Sequence, residues 1–250
     1  MKRAVVSTLT LALGAVLLGA AGKPTFGYAG PVPVRHSGTA GGTIARALAI
    51  VAPVITPHVG EIADRARRRL HQDAAGTYIQ DILRERDSAL IRWPDRRGIP
   101  LAVWIQPSAR IKGFLPEFVG RVRDAFVEWD DVHLPVRFTF VRDSINADVH
   151  VNWVDHFAEQ ISGRTRWSHD EGFAITDANI VLAVHHSNGG PLDEDAVGAI
   201  ALHEVGHLLG LDHTTDSLAI MAPRVRVRRL AEADRATARL LYALPARSFR

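Results

Sequence analysis

Cysteine is absent from all 250 residues of this chain. That excludes disulfides, thiolate metal ligands, a cysteine nucleophile and a lipid-modified N-terminal cysteine. It leaves export open, because many exported proteins carry no disulfide. A strong charge imbalance is lacking as well. The formal net charge is +3, although the sequence pI is near 9.7. Arginine supplies the surplus, in clusters over 65–69 and 224–229. These read as solvated faces rather than as nucleic-acid or anionic-lipid surfaces. Long apolar runs are missing beyond the N-terminus, so no later segment is expected to cross a bilayer. No repeat of fixed period is visible. What remains is an ordinary globular composition, 47% hydrophobic and 23% charged, able to bury a sizeable core.

Met1-Lys2-Arg3 is followed by an uncharged apolar run from Ala4 to Leu18 and by small residues at Gly19-Ala20-Ala21 and Gly27-Tyr28-Ala29. The pattern predicts a signal peptide over 1–29 and a secreted or periplasmic protein, with an uncleaved anchor as the alternative. Residues 22–43 read as a linker rich in Gly, Pro and Thr, and Pro53 and Pro57 break the apolar stretch 43–57. Ile62, Ala66 and Leu70 predict a helix over 60–71, and a second helix is expected over 76–87. Alternation of Leu101, Val103 and Ile105 predicts a strand over 99–105. Phe118, Val122, Ala125, Phe126 and Trp129 form one stripe of a helix over 116–130, with Pro116 suited to its start. Strands are expected near 136–142 and 147–153, an edge strand near 164–168, and a more central strand over 178–184. A long helix over 195–209, with Asp193 or Asp195 at its cap, ends at Gly210. A last helix covers 230–243. The class is therefore α/β (α+β), with one sheet packed by helices.

The chemistry is concentrated in His203-Glu204-Val205-Gly206-His207-Leu208-Leu209-Gly210-Leu211-Asp212-His213. Histidines four apart on a helix stack one turn apart on one face, so both reach one ion. A catalytic zinc typically takes three protein ligands and keeps one position open. Gly210 permits a left-handed turn at the helix end, which swings His213 back as the third ligand. Glu204 lies about 100° round the helix from His203. There its carboxylate is expected to take a proton from a zinc-activated water that attacks a peptide carbonyl, and to return that proton to the leaving amine.

This segment resembles the metzincin clan of zinc peptidases. A methionine-containing turn follows at Ser217 to Pro223, with Met221 eight residues after His213. That interval, and Thr214 after the third histidine, look like the matrixin branch. The strand at Ala147 to Trp153 and the closing helix at Leu230 to Tyr242 extend the resemblance over residues 91–245. It implies a metzincin-like zincin fold: a mixed, mostly parallel five-stranded sheet, a long active-site helix and a small C-terminal subdomain. It also implies endopeptidase action on extended polypeptides, with one catalytic Zn2+ and Met221 shaping the floor beneath it. A substrate backbone would pair with the edge strand near 164–168, and Pro223, Arg224 and Val225 would wall the pocket for the residue after the scissile bond. Residues 30–90 read as a helical extension packed on the catalytic domain, or as a pro-segment blocking the metal with Asp81 or Asp87. Many matrixins carry a tyrosine where Val225 stands. Asn179 stands where a structural-zinc histidine would be, so no such zinc is expected. The rival function is a zinc-binding, non-proteolytic module that keeps the site.

Other candidates have blander readings. His156, His169, His185 and His186 suit a surface better than a second metal site, since adjacent histidines on a strand diverge. Asp170, Glu171, Asp177, Asp193, Glu194 and Asp195 offer oxygens for Ca2+, but no loop has a decisive spacing. The five tryptophans read as core rather than as substrate platforms.

Overall fold

The computed structural model describes residues 59–96 and 98–248. The signal-peptide segment 1–29 and the linker lie outside the described residues, as does the 30–90 segment up to residue 58. Helix α1 spans Val59–Asp73 and α2 spans Ile79–Glu85, followed by a two-residue strand β1, Ala89–Leu90. Strand β2, Leu101–Ile105, leads into α3, Glu117–Asp130, then β3, Phe138–Val141, and β4, Val149–Val154. Strands β5, Gly163–His169, and β6, Ile175–Ala183, precede the long helix α4, Glu194–Leu208. Helix α5, Glu232–Ala243, and strand β7, Arg247–Ser248, close the chain.

The main sheet has the order β3-β2-β4-β6-β5. The first four strands run parallel, and β5 pairs antiparallel with β6 at the edge. This is the mixed, mostly parallel five-stranded sheet that the resemblance implies. Side chains point alternately to the two faces of a strand. Val149, Val151 and Trp153 are accordingly buried, while His150 and Asn152 between them are half-buried. The full predicted stripe of α3 is buried too. It packs against α4, and Trp129 Nε1 donates to the Leu202 carbonyl at 2.8 Å.

Helix α4 is apolar on most of its faces, as befits a helix buried between sheet and neighbours. Val197, Ala201, Leu202, Val205 and Leu208 are all in the core. Asp193 caps it by accepting from the Ala196 N–H at 2.7 Å, which satisfies one of the free amides of the first turn. Two features lie beyond the expected elements. Strand β6 begins three residues early, at Ile175, where Thr176 and Asp177 face solvent and break the apolar run. A second, two-stranded sheet joins β1 to β7. Arg92 reinforces that junction, donating through Nε and Nη2 to the Leu244 carbonyl and lying over the Tyr242 ring.

Candidate metal centre

Helix α4 carries His203 and His207 one turn apart, and their Nε2 atoms are 3.1 Å from each other. The helix ends at Leu208, and Gly210 follows with φ of +97°. The reversed chain brings His213 Nε2 to 3.3 Å from His207 Nε2. One ligand atom from each of the three residues falls within 4.8 Å of the other two.

Each helical imidazole has its tautomer fixed by a carbonyl oxygen, which can only accept. His203 Nδ1–H donates to the Ile220 carbonyl at 2.8 Å, and His207 Nδ1–H to the Leu211 carbonyl at 3.1 Å. The lone pairs are thereby left on Nε2, facing the common point. Burial holds the pKa of His203 down to about 4; burial, then the neighbouring His203, holds His207 to about 3. Both rings are neutral at ordinary pH, the form in which an imidazole can ligate a metal. Nitrogens at about 2.0–2.1 Å from a tetrahedral zinc stand roughly 3.3–3.4 Å apart. The His203–His207 and His207–His213 spacings of 3.1 and 3.3 Å fit such an ion.

Glu204 is only 4% exposed. Its Oε2 lies 2.6 Å from the Thr165 hydroxyl, which also sits 2.9 Å from the Glu204 carbonyl and can donate to one of them at a time. Burial pushes the carboxyl up to about 7, opposed by the Thr165 hydrogen bond and the Arg164 charge. A carboxyl near neutrality is suited both to take and to give a proton. Strand β5 is close-packed on it: a Cβ at Gly163 would overlap the Glu204 carboxylate and the Ile200 side chain.

Met221 is fully buried beneath α4. Its sulfur and the Trp129 ring fill the space that a Cβ on Gly206 would need. The Met221 carbonyl accepts from the Thr214 N–H at 3.1 Å, tying the turn to the residue after His213. Pro223 and Arg224 are exposed, and Val225 packs half-buried against the core.

The remaining candidates are dispersed. His156 and His185 share one carboxylate, that of Asp155, at 2.6 and 2.9 Å, while His169 stacks on Phe173. Asp193 caps α4, Glu194 and Asp195 meet Arg121, and Asp195 also pairs with Arg228. Asp170 accepts from the Ala174 N–H. Asp81 turns its carboxylate to Thr214 and Arg84. Trp93, Trp129 and Trp153 are core, whereas Trp104 and Trp167 are half-buried.

Sequence reasoning missed Gly163, Thr165 and Gly206. A glycine between two helical ligands, where helix propensity disfavours it, was the available signal for Gly206. The others act through neighbours distant in sequence and carry no local mark. With this geometry in place, the family comparison is specific: the family model described as Peptidase_M10, Matrixin, matches residues 116–243.

Proposed function

Because this chain belongs to the matrixin family, which makes zinc metallopeptidase activity its general chemistry, we propose that it is an endopeptidase acting on extended polypeptides, with residues 91–245 as its catalytic domain. The observation that carries the reading is three converging Nε2 atoms, two of them with lone pairs turned inward, and a buried carboxylate one residue from the first of them.

His203, His207 and His213 would hold one Zn2+. Bound there, zinc would supply a Lewis acid and lower the pKa of a coordinated water. Glu204 acts as general base: its buried carboxylate takes the proton of the attacking water and passes it to the leaving amine. Thr165 holds one carboxylate oxygen and leaves the other for that transfer. The polypeptide lies antiparallel along the outer edge of β5, the end strand of the sheet, and takes its backbone hydrogen bonds there. Pro223, Arg224 and Val225 bound the pocket that receives the residue after the scissile bond.

Digestion of unfolded casein by the purified protein tests the reading. Cleavage is expected to stop when zinc is chelated and to return when zinc is restored. A zinc-loaded protein that leaves casein and a peptide library intact would refute the peptidase and favour the binding module. Export is proposed on the strength of residues 1–29; N-terminal sequencing of the mature protein should begin beyond residue 20, and a chain starting at Met1 or Lys2 would contradict it. Among the described residues, no helix is long and apolar enough to cross a membrane.

A further inference from the structure

The two helical imidazoles are oriented by the carbonyls of Leu211 and Ile220, and both of those residues are tied to the same N-terminal stretch, Leu211 directly and Ile220 through Asp234. Arg86, just past α2, donates from Nη2 to the Leu211 carbonyl at 3.0 Å, the oxygen that also accepts from His207 Nδ1. Its Nη1 donates to the Gly210 carbonyl at 2.9 Å. Its Nε donates to Asp212 Oδ2 at 3.0 Å, and Asp212 Oδ1 accepts from the backbone N–H of His213 at 2.8 Å. One guanidinium thus spans three consecutive residues between the second and third ligands. It is well buried, with the Arg86 side chain 11% exposed and its Cζ 5.1 Å from the centroid of the Trp167 ring of β5.

The first ligand has a parallel support. The Tyr78 hydroxyl donates to Asp234 Oδ1 at 3.0 Å, and Asp234 Oδ2 accepts from the Ile220 N–H at 2.9 Å. Ile220 is the residue whose carbonyl orients His203. The Tyr78 N–H also donates to Thr237 Oγ1 on α5, and Ile79, Ile82 and Leu90 lie in the core.

We propose that Arg86 is a positioning residue of the metal site, and that residues 78–90 belong to the metal-binding unit rather than to a removable extension. The proposal rests on the zinc-peptidase reading and deepens it. Arginine suits the task because its planar fork presents five donors in fixed directions, enough for three acceptors at once. Lysine can match the charge but not the span. Without the fork, the loop 210–213 loses the contacts that fix its conformation, and the third imidazole is no longer preorganised toward the other two.

The full chain carrying Arg86→Met, which keeps the aliphatic stem, tests this beside Arg86→Lys. Zinc affinity is measured by competition with a chromophoric chelator, and ligand geometry by the visible absorption of the cobalt-substituted protein. Arg86→Met is expected to bind zinc about 10–100-fold more weakly, the scale usual for loss of an outer-sphere partner. Its cobalt spectrum should change in intensity, while the metal-free protein still unfolds cooperatively. Arg86→Lys should recover part of the affinity. Parental affinity and an unchanged cobalt spectrum in Arg86→Met would overturn the proposal. So would failure of both variants to fold without metal, because Arg86 would then serve the fold and not the site. A parent that takes up no zinc refutes the peptidase reading itself; a zinc-binding parent with an equally zinc-binding Arg86→Met variant refutes the Arg86 role alone.

Discussion

Replacing Glu204 by alanine is expected to lower kcat/KM on a peptide substrate at least a hundredfold while zinc affinity stays within about threefold of the parent. The two effects separate because Glu204 is not among the converging nitrogens. Its carboxylate bonds to Thr165, not to a ligand imidazole. Truncation removes the proton acceptor and leaves the tautomers of His203 and His207 fixed by the Ile220 and Leu211 carbonyls. Stability should hold or rise slightly, since a largely buried carboxyl whose charged form is penalised by desolvation is lost. Zinc titration, steady-state kinetics and thermal unfolding on one preparation give all three readings. Equal turnover by parent and variant would remove Glu204 from the mechanism.

The second large effect is expected at Gly210. Alanine there must adopt φ of +97°, and its Cβ would overlap the backbone carbonyl oxygen of Ile91. The left-handed conformation costs an L-residue about 1–2 kcal/mol, and forcing extra volume against fixed backbone costs about 1–3 kcal/mol more. For a domain of this size each kcal/mol lowers Tm by about 2–4 °C, so a drop of about 10 °C is expected. Zinc affinity should fall at least tenfold as well, because this turn delivers His213. Gly76→Ala is the control: φ there is +74°, but nothing lies within 4 Å of the added Cβ. It should cost only a few degrees and leave zinc binding alone. A Gly210→Ala protein that melts with the parent would mean the turn relaxes freely.

Much of the fold is legible in the residue pattern itself. The helix expected over 116–130 is Glu117–Asp130, and the stripe assigned to its inner face is the one buried. The strand expected over 147–153 is Val149–Val154 in the assigned orientation. The edge strand expected near 164–168 is Gly163–His169, antiparallel at the end of the sheet. The three histidines converge as their spacing requires. Strands β1 and β7 are not legible. Two residues carry no alternation, and their pairing joins positions 89 and 248.

Sequence alone determined what depends on neighbours in the chain: the periodicities of 3.6 and 2, an aspartate cap at 193 or 195, the turn at Gly210, and which residue types could hold a metal. Those signals are local, so they survive without knowledge of what packs where. Tertiary structure decided what holds the three imidazoles in place. The acceptors that orient His203 and His207 are backbone carbonyls, which every residue possesses and no residue type advertises. The groups that steady those carbonyls, Arg86 and Asp234 with Tyr78, reach them across as many as 125 residues of sequence or through a third partner. Only folding brings such groups together.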